Sequence, residues 1–63
     1  MSNTEAEAVK AIEAANAAYL DPNATHAAVR SAEQASKAAV ARHAAELGVD
    51  PIVAALQLRQ ITG

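Results

Sequence analysis

Residues 46–51 read ELGVDP, a glycine between Leu47 and Val49 followed at once by an Asp-Pro pair. Each residue has a physical reason to be there if one helix stops and another starts. Glycine takes the left-handed backbone conformation just past a helix end without a Cβ clash, and the next apolar residue folds back over the last turn, as in a Schellman motif. An aspartate side chain accepts from the free N–H groups that open a helix. Proline suits the first helical position, where its missing N–H would have no partner anyway. The stretch therefore predicts a corner between a helix ending at Leu47 and a short one running from Pro51 to about Thr62, fraying at Gly63.

Working outward, glycine occurs only at 48 and 63, and 19 of the 63 residues are alanine, so helix propensity is high between the breaks. The Asp-Pro device recurs at Asp21 and Pro22. It predicts that helix 1 covers about 5–20 and helix 2 about 22–47, with Asp21 as cap and Pro22 as the first helical residue. Thr4 and Glu7 fit a capping box at the start of helix 1, with Ser2 and Glu5 as a competing register. Asn23-Ala24-Thr25 matches a glycosylation sequon but reads as helix-start chemistry. The short LDPN connection makes helices 1 and 2 antiparallel. The expected fold is all-α: a long antiparallel helical hairpin plus a short C-terminal helix, in one domain.

A domain this small buries only about 60% of the surface its unfolded chain exposes. Apart from alanine, the apolar residues are 14 in number, with no Phe, Trp or Cys. Disulfides and thiolate metal sites are thereby excluded, and oligomerisation is the remaining common way to stabilise so small a scaffold. Self-association into a helical bundle, as a homodimer or higher, is the expectation, with a larger protein as the other possible partner. The net charge of −2 gives no attraction to phosphate backbones or anionic membranes. No basic region followed by an apolar run is present near the start, so neither a signal peptide nor a membrane span is expected, and a cytoplasmic location is.

At about 100° per residue, Val9, Ile12, Asn16, Tyr19 and Leu20 share one stripe of helix 1, with Ala8 and Ala15 beside it. Val29, Ala32, Ser36, Ala39, Val40, His43 and Leu47 share one of helix 2. Polar residues on apolar stripes can set register or oligomeric state, which makes Asn16, Ser36 and His43 candidate core-polar residues. Glu33/Lys37 and Arg42/Glu46, four apart, read as solvated helix support. The two long helices also align at an offset of 20, with Ala8/Ala28, Val9/Val29 and Glu13/Glu33 among five identities. Shared composition accounts for most of these.

Helix 3 has no single apolar stripe. Ile52, Ala55 and Leu56 form one face with Val53 at its edge, while Ala54, Leu58 and Ile61 point roughly the other way. A hairpin covers one face, so Ile52, Val53, Leu56, Leu58 and Ile61 are candidate protein-interaction residues, with the side bearing Leu58 and Ile61 expected outermost.

The segment AAELGVDPIVAAL also resembles the helix-turn-helix DNA-binding motif, in Ala44 four residues before Gly48, in its flanking Leu47 and Val49, and in the helix capped at Asp50. The resemblance implies a second helix in the major groove, presenting Gln57, Arg59 and Gln60. Against that implication, the preceding helix is long and the early positions of helix 3 are Ile52, Val53, Ala54 and Ala55, which bond no base edge. No nucleophile–base set, inward carboxylate pair, metal-ligand spacing or glycine-rich phosphate loop is present, so no enzyme activity, cofactor, metal or small-molecule substrate is expected. The sequence favours a non-enzymatic protein–protein interaction or oligomerisation module, with a small DNA-binding regulator as the alternative and an accessory subunit that folds on a larger partner as a third.

Overall fold

A computed structural model describes residues 3–62. The Ser2–Glu5 capping register and the fraying at Gly63 lie outside the described residues, as does the side chain of Thr62. Three helices follow in order, α1 Thr4–Leu20, α2 His26–Leu47 and α3 Pro51–Thr62. The chain extends 37 × 21 × 20 Å, and α2 sets the long dimension, since its 22 residues span about 33 Å at 1.5 Å each.

The corner at ELGVDP forms as its chemistry requires. Gly48 sits at φ 71°, ψ 32°, its N–H donates to the Ala45 carbonyl and that of Val49 donates to the Ala44 carbonyl at 3.0 Å. These are the two bonds of a Schellman motif, and they satisfy carbonyls that the helix end leaves open. Asp50 Oδ1 then accepts from Ile52 N–H at 2.8 Å, and its carbonyl accepts from Ala54. A Cβ added at Gly48 would meet nothing within 4 Å, so Gly48→Ala carries a backbone cost alone. It is expected to destabilise the fold by about 1–2 kcal/mol, read as a lower urea midpoint at unchanged slope.

The other two helix starts differ from expectation. Helix 2 opens at His26, not at Pro22. Asp21 is extended, as a residue before proline is driven to be, but its carboxylate accepts from Asn23 N–H at 2.9 Å and its carbonyl from Ala24, closing a turn. Thr25 makes the cap, its hydroxyl accepting from Ala28 N–H at 3.1 Å. The physical reason is reversal: an antiparallel helix pair needs a loop of about 2–5 residues, and a helix running from Pro22 would leave Asp21 alone to turn the chain. At the start of α1 the capping box does not form. Asn3 holds the cap position without a side-chain bond, and Thr4, already helical, turns its hydroxyl to another helix.

The hairpin packs along alanine. Ala8 in α1, Ala39, Val40, His43 and Ala44 in α2, and Ala54 and Leu58 in α3 are buried. Val9, Ala11, Ile12, Val49 and Ala55 pack partly against them. Small side chains at the seam let helix axes come to the near end of the usual 8–10 Å range. The buried line of α1 consequently runs through its alanines, and Asn16, Tyr19 and Leu20 are exposed although the periodicity places them on the apolar stripe. Ala8 is buried while its offset mate Ala28 is exposed, so the similarity between α1 and α2 does not extend to equivalent packing.

Candidate interaction surface

Helix α3 has 12 residues and apolar side chains on two sides, so docking on the hairpin covers one side and leaves the other. The covered side is that of Ala54 and Leu58, both fully buried, with Ala55 half-buried. Leu58 is 1% exposed and is the only large side chain of the chain's described residues that is fully buried. The expectation that Leu58 faces outward is thus reversed. Ala54 and Leu58 are four apart on one line, and the small Ala54 brings the α3 backbone close enough for Leu58 to reach the hairpin core. The opposite line, Ile52 and Leu56, carries larger side chains that would hold the helix away.

The uncovered side follows from the same geometry. Ile52 is 71% exposed, Leu56 55% and Ile61 57%, with Val53 also exposed. Taken about the helix axis at about 100° per residue, Ile52, Val53 and Leu56 occupy one outward sector over the first half of α3. Ile61 lies near the buried line but at the far end of the helix, where the hairpin does not cover it. Gln57, Arg59 and Gln60 are exposed as well. Gln60 and Arg59 continue the outward sector into the second half, so the sector is apolar first and polar after.

The core-polar candidates separate. His43 is 6% exposed, and its Nδ1 lies 3.0 Å from the Thr4 hydroxyl, 39 residues away in sequence. This bond ties the start of α1 to the last third of α2 and explains why Thr4 does not cap its own helix. Ser36 is half-buried, and Asn16 is exposed at the surface, so Asn16 has no buried partner to set a register within the chain. Thr4→Val removes a hydroxyl from a buried imidazole and is expected to cost about 1–3 kcal/mol, with Thr4→Ser retaining most of the stability in the same chemical unfolding measurement.

Two hollows border these helices. One, of about 330 Å³, lies at the hairpin turn between Tyr19, Asp21, His26, Arg30 and Glu33. The other, of about 700 Å³, is an open groove where α3 meets the middle of the hairpin, bounded by Ile12, Val40, Pro51, Ile52 and Ala55, with Asn16, Ser36, Lys37 and Arg59 around them. Among the described residues, no three His, Cys, Asp or Glu side chains are placed to hold a metal ion, and no helix is long and apolar enough to cross a membrane. No family model, curated protein or solved structure matches the chain.

Proposed function

We propose that this chain is a non-enzymatic helical interaction module that self-associates through the outer sector of α3. The observation that carries the reading is that Ile52, Val53 and Leu56 stand exposed together in one sector of a 12-residue helix, while among the described residues Val40 and Leu58 are the only apolar side chains larger than alanine that are buried. Contiguous apolar exposure of this kind marks protein contact surfaces, and a small scaffold with an alanine core gains most from covering it. A two-fold contact that sets α3 antiparallel to its mate would bury Val53 and Leu56 from both copies at its centre and keep the polar second halves at its rim. Placing α3 in a DNA groove would instead present the apolar first half to the bases.

Sedimentation at micromolar concentration tests the reading. The wild-type chain is expected to associate, and Val53→Asp with Leu56→Asp to remain a folded monomer, because both positions are exposed and neither supports the core. A wild-type chain that stays monomeric throughout, with a melting temperature independent of its own concentration, would sink it.

A further inference from the structure

The groove between α3 and the hairpin combines a mostly apolar lining with charge of one sign contributed by two different helices. Its lining is mostly apolar, formed by Ile12 of α1, Val40 of α2, and Pro51, Ile52 and Ala55 of α3, with Asn16 and Ser36 as the uncharged polar members. Among its described lining residues the charged side chains are Lys37 and Arg59, with no carboxylate beside them. The chain has seven acidic residues and only five lysines and arginines, so a groove that gathers two of the cations and none of the acids runs against the overall charge. Both cations are exposed, which leaves their heads in solvent above a mostly apolar lining.

We infer that this groove docks an acidic amphipathic helix of another protein, laid along α3 so that its apolar stripe meets Ile12, Val40 and Ile52 and its flanking carboxylates meet Lys37 and Arg59. The three helices then become three sides of a four-helix arrangement, with the added helix bound in the helix-in-groove manner. A second copy of this chain does not have the face required. On α1 and α2 the large exposed apolar residues are Tyr19, Leu20 and Leu47, each at a helix end and not along a stripe. The exposed stripe of α3 carries Arg59, of the same sign as the groove. This inference goes beyond self-association through the outer sector of α3, with which the groove shares Ile52 and Arg59, and the variants below tell the two apart.

The test uses two capped synthetic peptides of about 16 residues, long enough for about 24 Å of helix. Both carry leucines at i, i+3, i+4 and i+7; one has glutamate at the flanking positions and the other lysine. Titration into the wild-type chain at low salt, followed by fluorescence anisotropy, is expected to show the glutamate peptide binding at least tenfold more tightly than the lysine peptide, with the difference shrinking as salt is added. The double variant Lys37→Glu with Arg59→Glu, both at exposed positions, is expected to reverse that preference, and Ile52→Asp to weaken both peptides. Equal affinity for the two peptides, a preference unmoved by the charge reversal, or no binding of either overturns the assignment and leaves the sedimentation result untouched. Association of the wild-type chain that Lys37→Glu with Arg59→Glu abolishes, while Val53→Asp with Leu56→Asp does not, would assign the groove to a second copy and overturn it too.

Discussion

Leu58→Ala is expected to remove most of the stability of the fold. Leu58 is 1% exposed in a core whose other buried apolar members among the described residues are four alanines and Val40, with Val9, Ile12 and Val49 packed only partly against it, so few large side chains are at hand to fill the space. Truncating a buried leucine costs about 2–5 kcal/mol, and the upper part of that range applies where the surroundings cannot collapse. A chain of 63 residues has a total stability of about 3–9 kcal/mol at typical values per residue. The single substitution thus approaches the whole. Circular dichroism with urea titration should show a transition that begins near zero denaturant or is lost altogether. Leu56→Ala supplies the control: the same atoms are removed from the same helix two residues away, at a position 55% exposed, and at protein concentrations too low for self-association the expected change is within about 0.5 kcal/mol. Equal effects at the two positions would contradict the placement of α3.

Ala54→Leu is expected to destabilise by about 1–3 kcal/mol, or more where the helices must separate. Ala54 is fully buried and sits one turn before Leu58 on the line by which α3 meets the hairpin. Its methyl sets the closeness of the approach. A leucine there keeps helix propensity nearly unchanged and adds apolar surface, so propensity and hydrophobicity predict neutrality or gain, whereas packing predicts loss. The substitution therefore separates the two kinds of argument. Ala41→Leu, on the exposed side of α2, is the matched control, with little change expected.

These two substitutions also mark how far the sequence could be read. The existence and order of the three helices followed from alanine content and from breaks at residues with special backbone chemistry. Gly48, Val49 and Asp50 act as their types require because Schellman and cap bonds close within about six residues and need no distant partner. Where a residue had both a local and a distant use, local reasoning failed. Thr4 has the spacing of a capping box with Glu7, yet its hydroxyl bonds His43, and only the pairing of α1 with α2 brings that imbalance of choices to a decision. Asp21 carries the same cap chemistry as Asp50, but the chain must reverse after it, so its carboxylate closes a turn and Thr25 starts the helix.

The apolar residues of α3 were legible as a set, but not which of them the hairpin buries. Ile52, Val53, Leu56, Leu58 and Ile61 were all identified as residues that something must cover, and four of the five are exposed. Periodicity could not separate them, because α3 is apolar on opposite faces and a helical wheel is indifferent to which one turns inward. The groove was not legible at all. Lys37 and Arg59 are 22 positions apart on different helices, and as sequence they read only as a solvated ion-pair partner and an isolated base contact.

What the sequence determined by itself was therefore the set of helices, their corner at residues 46–51 and the small size of any core they could share, since each depends on propensity and on hydrogen bonds between near neighbours. What only the tertiary structure decided was the face of α3 that is buried. That choice rests on the fit of Ala54 and Leu58 against an alanine-lined hairpin, a matter of distances between backbones that no local pattern encodes.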